Sequence, residues 1–261
     1  MGLLGKTAII TGASSGIGAA TAKLFSKLGA VVVLSGRDEA SLETVANDAS
    51  ALAPSTQKMK PFCVKADITM ESDTERLVDE AVKHLKRIDV LVNCAGVLEK
   101  GTIETTTLEQ YDRVMNINAR SILHLTMLCV PHLIETKGAI VNVSSVNGMR
   151  SFPGVLAYNM SKAAVDQMTR CVALEVADRG VRVNAVNPGV TVTNLHKRGG
   201  MDAETYAQFL EHSKSTHALG RAGEAEEVAQ AIAFLADNQL SSFVTGATLP
   251  VDGGRHAMCP R

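Results

Sequence analysis

Short aliphatic and β-branched runs alternate with longer stretches of helical periodicity along the chain. Residues 7–11 (TAIIT), 31–35 (VVVLS), 62–66 (FCVKA), 88–93 (IDVLVN), 139–143 (AIVNV), 181–186 (VRVNAV) and 248–251 (TLPV) read as strands. Helical patterns fill residues 16–28, 40–52, 72–85, 108 to about 135, 157–177 and 225–236, and a short amphipathic helix is expected near 203–210. In the first of these, Ile17, Ala20, Leu24 and Leu28 share one face. Strands joined by helices must run parallel, and runs this apolar are covered on both faces. The expected fold is therefore α/β: a doubly wound Rossmann fold, a parallel seven-stranded sheet with helices on both faces. No Pro/Ser-rich linker and no internal repeat divides the 261 residues, so residues 1–261 are expected to form a single domain.

Composition removes several functional classes. The 26 basic and 27 acidic residues leave a net charge of -1, which gives no general field for nucleic acid or an anionic membrane. Aromatic residues make up 3% of the chain and Trp is absent, which disfavours base-stacking platforms. Cys63, Cys94, Cys129, Cys171 and Cys259 are odd in number and form no C-x-x-C pair, so reduced thiols are expected. The seven His show no metal-ligand spacing, and no metal is expected. Residues 1–10 lack a basic signal-peptide start, and the apolar stretch 122–134 is too short to span a bilayer, so a cytoplasmic protein is expected.

The first strand runs into Thr11-Gly12-Ala13-Ser14-Ser15-Gly16-Ile17-Gly18, where a helix opens. Glycines let the backbone turn sharply and approach a pyrophosphate, and the helix start offers free N–H groups and a positive dipole end. An ordinary Gly-rich turn has the same composition, but this loop follows the first of seven expected strands, which favours a dinucleotide. The second strand ends Leu34-Ser35-Gly36-Arg37-Asp38. Gly36 stands where an acid would bond a ribose 2′-OH, and the Arg37 guanidinium suits a 2′-phosphate. NADP(H) is therefore preferred over NAD(H); the alternative has Asp38 on the ribose and Arg37 in solvent.

Tyr158 and Lys162 lie four residues apart, on one helical face. A phenol is a poor proton donor or acceptor at neutral pH, and a neighbouring ammonium can lower its pKa. Thirteen residues upstream of Tyr158, a strand ends in Ser144 and Ser145, where side chains line the crevice of such a sheet.

With these motifs in place, the chain resembles the short-chain dehydrogenase/reductases, of the short single-domain branch, over approximately residues 4 to 254. The resemblance is carried by Thr11–Gly18, Asp67, Asn93-Cys94-Ala95-Gly96, Asn118, Ser145, Tyr158 with Lys162, Asn187-Pro188-Gly189 and Val251-Asp252-Gly253-Gly254. It implies a dinucleotide-binding and catalytic domain that moves a hydride between NADP(H) and a carbonyl or secondary alcohol. Tyr158 would exchange the proton, Lys162 would hold the nicotinamide ribose and depress the phenol pKa, and Ser145, favoured over Ser144 by spacing, would bond the substrate oxygen. Asn118, favoured over Asn116 by pattern, would anchor a water behind Lys162. Gly12, Ser14, Ser15, Gly16, Ile17, Gly18 and Arg37 would hold the phosphates. Asp67 and Ile68 would flank the adenine, and Asn93, Ala95 and Gly96 would line the cofactor. Pro188, Gly189, Val190, Thr191 and Thr193 would hold the nicotinamide. Cys94 replaces a usual Asn and reads as packing; Ser15 stands where NADP enzymes often have a basic residue, which leaves the charge to Arg37.

Substrate recognition is expected in residues 97–101, 146–156 and 194–221, with a substrate loop of about 190–221 that closes as a lid. Val146, Met149, Val155 and Leu156 are expected as an apolar pocket wall, and His196, His212 and His217 as exposed loop residues. Apolar excess on the helices over 108–135 and 157–177 suggests buried partner faces, and relatives of this kind are usually tetramers, so a homotetramer is expected. The remaining alternatives are a 3-oxoacyl-carrier-protein reductase with a docking patch at residues 196–198, and a dinucleotide-binding regulator without chemistry.

Overall fold

The computed structural model describes residues 2–55 and 59–259. Seven strands form one parallel sheet: β1 (Thr7–Thr11), β2 (Val31–Gly36), β3 (Phe62–Lys65), β4 (Val90–Asn93), β5 (Ala139–Val143), β6 (Arg182–Pro188) and β7 (Thr248–Val251). Their order is β3-β2-β1-β4-β5-β6-β7. The direction of winding reverses between β1 and β4, so a crevice opens beyond their C-terminal ends.

Helices cover both faces. On one side α1 (Gly16–Lys27), α2 (Glu39–Leu52) and α10 (Ala225–Ala236) bring Phe25, Leu42 and Ile232 against Ile10 and Leu34. On the other, α3 (Glu71–Leu85), α5 (Ser121–Thr136) and α7 (Leu156–Val176) bring Leu77, Leu125, Leu133 and Ala173 against Ile9 and Leu91. Neighbouring Ile9 and Ile10 enter opposite cores, as the period-two strand requires, and both are fully buried. These aliphatic layers need no Trp.

The helix expected over 108 to about 135 is interrupted. Between α4 (Leu108–Met115) and α5, residues Asn116–Arg120 form a π-helical turn. By length and composition alone the run Leu108–Thr136, which holds an 18-residue window of mean hydropathy 1.2, can cross a membrane. Here Ile122, Leu125, Cys129 and Leu133 are buried as in a core helix.

Among the described residues, four short elements escaped the sequence reading: α6 (Val146–Met149), α8 (Leu195–Arg198) and 3-10 turns at Ala177–Arg179 and Arg255–Ala257. The expected helix near 203–210 is α9 and runs over Ala203–Thr216. Strand β4 starts at Val90 rather than 88, and just before it the Asp89 carboxylate takes the Thr7 N–H, Lys6 and Arg87.

Candidate active site

A cleft of about 870 Å³ lies over the C-terminal ends of the strands. Its phosphate end is built by β1 and β4. Thr11 Oγ1 accepts the N–H groups of Cys94 and Ala95 at 3.1 and 3.2 Å, which ties the two loops together. Gly12 has φ +64°, and a Cβ there would stand 2.8 Å from Ala95 Cα. At Gly18 a Cβ would stand 2.3 Å from the Gly12 carbonyl oxygen. Side chains are thus excluded where the backbone must approach a ligand. Ser15 caps α1 without a side-chain hydrogen bond, and the first turn carries no acid. The free N–H groups and positive helix end are left to an anion. This glycine-lined cradle, with Ser14 and Ser15 beside it, fits a dinucleotide pyrophosphate.

Arg37 lines the cleft at the end of β2. Asp38 does not reach into it: its carboxylate accepts from Ser41 N and Ser41 Oγ at 3.1 and 2.6 Å, which caps α2. Asp67 and Ile68 line the same end, with Asp67 Oδ1 bonded to Thr69. Ala95 and Gly96 form part of the wall. Asn93 does not. It is buried in the sheet, where its Nδ2 donates to Asn142 Oδ1 at 2.9 Å, because β4 pairs Asn93 with Asn142. The expectation that Asn93 lines the cofactor is corrected: it braces the strands below.

The reactive groups meet at the other end. Ser145, Tyr158 and Lys162 all line the cleft. Ser145 caps α6 and exchanges hydrogen bonds with Asn147. The Ser144 hydroxyl donates instead to the Lys162 carbonyl, which leaves Ser145 as the serine hydrogen-bonded to Tyr158. Lys162 Nζ donates to Val143 O at 2.8 Å and lies 5.7 Å from the Tyr158 ring centroid. Burial pushes the phenol up to about 12, against the hydrogen bond from Ser145, and pushes the Lys162 ammonium down to about 8. Lys162 is expected to lower the phenol, but here burial is the larger influence on both groups and disfavours both charged forms.

Asn118 sits in the π turn and is fully buried behind the wall. Its Oδ1 accepts the Val97 N–H at 2.8 Å, and its Nδ2 donates to Val97 O and Ser161 Oγ. Both amide hydrogens are used, so the side chain clamps the loop after β4 rather than facing a ligand. Extra residues in π turns recur at functional sites.

Pro188, Gly189, Val190, Thr191 and Thr193 line the nicotinamide end expected from the sequence. His217, expected to be exposed, is 2% exposed and bonds the Val190 N–H. His196 lines the cleft and packs on Phe209, with ring centroids 4.5 Å apart, so it too departs from an exposed loop; His212 is exposed. Val190 is 27 positions from His217 in sequence, a pairing that no local pattern records. At the expected docking patch of 196–198, Lys197 lies over the Tyr206 ring, and Lys197 and Arg198 are exposed. Val146 and Val155 form part of the apolar wall as expected, but Met149, 42% exposed, and Leu156 do not line the cleft; Leu98, Phe152, Leu195, Met201 and Phe209 add to the wall. The sequence reading also missed Asp166, which accepts from Asn187 Nδ2 beneath Ser145 and whose carboxyl is raised by burial.

The five cysteines are free, and burial holds Cys94 up at about 12, a packed thiol. Among the described residues no group of three or more His, Cys, Asp or Glu gathers around a metal position.

A family model described as Enoyl-(Acyl carrier protein) reductase matches residues 12–256. The meso-2,3-butanediol dehydrogenase of Serratia marcescens is 37% identical over 252 residues, covering 97% of this chain and 95% of that protein. The 3-oxoacyl-[acyl-carrier-protein] reductase of Thermotoga maritima is 39% identical over 255 residues, covering 97% and 99%. Among solved structures, a short-chain dehydrogenase/reductase of unknown function from Caenorhabditis elegans, with cofactor, superposes with a TM-score of 0.92 at 34% identity, covering 99% and 98% of the two chains. The chain belongs to the short-chain dehydrogenase/reductase family, oxidoreductases that act on CH–OH groups with a nicotinamide dinucleotide.

Proposed function

We propose that this chain is an NADP(H)-dependent carbonyl reductase, interconverting a carbonyl compound and a secondary alcohol. The observation that carries the reading is the convergence of Ser145, Tyr158 and Lys162 on one cleft whose far end is the glycine-lined phosphate loop. When bound, the nicotinamide supplies the hydride in reduction and accepts it in oxidation.

Tyr158 donates its phenolic proton to the substrate oxygen in reduction and recovers it in oxidation. A phenol held at about 12 stays protonated at neutral pH, the state needed for reduction. Ser145 donates a hydrogen bond to the same oxygen as charge develops there. Lys162, anchored on Val143 O, holds the ribose, and Asn118 positions the loop at Val97. Residues 188–193 hold the nicotinamide.

The preference for NADP(H) over NAD(H) is supported by the commitment of Asp38 to capping α2, which leaves Arg37 as the charged residue at the strand end. One domain, with its substrate loop at about 190–221, is proposed to carry both sites in a cytoplasmic enzyme. Exposed Leu123 and Met127 on α5 and Leu174 on α7 favour a homotetramer. A stable monomer in sedimentation overturns that assembly.

Tyr158→Phe tests the chemistry. The variant should still bind NADPH, read by nicotinamide fluorescence, while turnover falls by about 10²–10⁴-fold. Turnover near that of the native chain refutes the role of Tyr158. Equal or higher kcat/KM with NADH than with NADPH refutes the cofactor assignment.

A further inference from the structure

We propose that the substrate of this cleft carries a carboxylate, received by Arg255. The word substrate rests on the oxidoreductase reading above; the anion site itself does not.

Arg255 begins the 3-10 turn after β7 and forms part of the cleft wall. Its guanidinium carbon lies 4.5 Å from the centroid of the Phe152 ring. The Nε atom is shut off from solvent and has no hydrogen-bond partner. Among the described residues no carboxylate lies within ion-pair distance of this side chain. Among those residues Arg37, Arg150, Arg170, Arg182 and Arg198 also have no ion pair, but buried Arg182 bonds Asn238 and the Leu235 carbonyl, whereas the buried Nε of Arg255 has no partner. A half-buried charge without a counter-ion is costly, so its retention points to an anion that arrives with the ligand.

The acids that might neutralise Arg255 are engaged elsewhere. Asp252, whose charge reaches Arg255 from beyond ion-pair distance, accepts from the Gly254 and His256 N–H groups and bonds His256 Nδ1. On the cleft wall, Glu99 is held by two nitrogens of Arg113 at 2.7 and 2.5 Å, and Asp67 is bonded to Thr69. Lys100 stands on the same wall. His196 between them is held below its ordinary pKa by burial and then by Arg255 and Lys100, so this end of the cleft is already positive without it.

The guanidinium is also tied to the reacting end. The Phe152 carbonyl accepts from Asn159 Nδ2 at 2.8 Å, Asn159 Oδ1 accepts from Asn147 Nδ2 at 2.7 Å, and Asn147 exchanges hydrogen bonds with Ser145. Stacking on Phe152 occupies one face of the guanidinium, whose N–H groups lie in its plane and can still fork onto a carboxylate. Val155, Met201 and Phe209 offer apolar surface for the intervening carbon chain. The ligand class is an oxo acid or hydroxy acid, oriented by its carboxylate so that its carbonyl meets Ser145 and Tyr158.

The test is calorimetric binding of hexanoate and hexanamide to the full chain, with and without NADPH. Hexanoate should bind about ten- to hundredfold more tightly than the amide, the range of a charge-assisted hydrogen bond. Arg255→Gln should bring the ratio to about one, and Arg255→Lys, with charge but no fork, should keep part of it. Equal affinity for the two probes, including no binding of either, overturns the proposal, and the native chain alone decides that outcome. A carboxylate preference that survives Arg255→Gln overturns it as well. Should Arg255→Gln not fold, Phe152→Leu removes the platform and should reduce the ratio; an unchanged ratio counts against the site. None of these readouts needs turnover, so a native chain that turns over no carbonyl or alcohol with NADPH or NADP removes the reductase reading without touching this one.

Discussion

Nε2 of His217 accepts the N–H of Val190 at 3.1 Å, while its Nδ1 donates to the Ser213 carbonyl at 2.9 Å. The ring is neutral, with its proton on Nδ1, and it joins the nicotinamide end of the cleft to α9. His217→Ala leaves the buried Val190 N–H unpaired, while the Ser213 carbonyl keeps the backbone N–H of residue 217. Chemical denaturation should show a loss of about 1–3 kcal/mol, accompanied by a raised KM for the cofactor. An unchanged KM would show that the loop does not depend on this ring.

The same residue predicts a pH dependence. Burial, and then Arg255, hold His217 below 6.5, against the Ser213 carbonyl and Asp252. Between that lowered value and 6.5 the unfolded chain binds the proton and the folded chain does not, so stability rises with pH across this window and is lost as pH falls. Urea midpoints at pH about 7.5 and about 5.5 should separate less in His217→Gln than in the native chain. Equal separation would place the acid sensitivity elsewhere.

At Gly18 the obstacle to a side chain is backbone, 2.3 Å from an ideal Cβ. Gly18→Ala forces β1 and α1 apart. The expected cost is about 1–3 kcal/mol in thermal or urea unfolding, with NADPH binding weakened much more than stability alone explains. Native-like NADPH fluorescence titration in this variant would contradict the role of the close approach.

Lys162 is an ammonium only below about 8. Its hold on the cofactor is therefore present at neutral pH and declines as pH rises through that value. The kcat/KM for NADPH should be flat below pH about 8 and fall above it, while Lys162→Met should be uniformly weak and lack the step. A step that persists in Lys162→Met belongs to another group.

Arg37 and Asp38 divide two jobs. Arg37→Ala should reduce kcat/KM with NADPH by about ten- to hundredfold and leave the NADH value nearly unchanged. Asp38→Ala removes the cap of α2 and should lower the melting temperature without altering the NADPH:NADH ratio. A shifted ratio in Asp38→Ala would return Asp38 to the ribose.

The sheet was legible because each strand is a local pattern: TAIIT between Lys6 and Gly12 admits little else, and β1 lies over Thr7–Thr11 as expected. The phosphate loop was legible for the same reason, since glycine spacing is a property of neighbours. Four-residue α6 and α8 carry too few turns to show a helical period. Asn93 looked like a cofactor contact until its register against Asn142 placed it inside the sheet. Arg255 followed a recognised Val251–Gly254 segment without any mark of its own; its meaning comes from Phe152, 103 positions away, and from the lack of an acid. What sequence hides here is pairing across distance.

The π turn at Asn116–Arg120 lengthens the backbone hydrogen-bond step from i→i+4 to i→i+5. Geometrically it is a one-residue insertion that the helix has absorbed, with Val114 before it and Leu125, Cys129 and Leu133 after it still turned inward. The surplus residue is thus dispensable to the core while it determines where Asn118 stands. Folding and loop control are separable in this helix, and a deletion that heals the turn would keep the scaffold and release Val97.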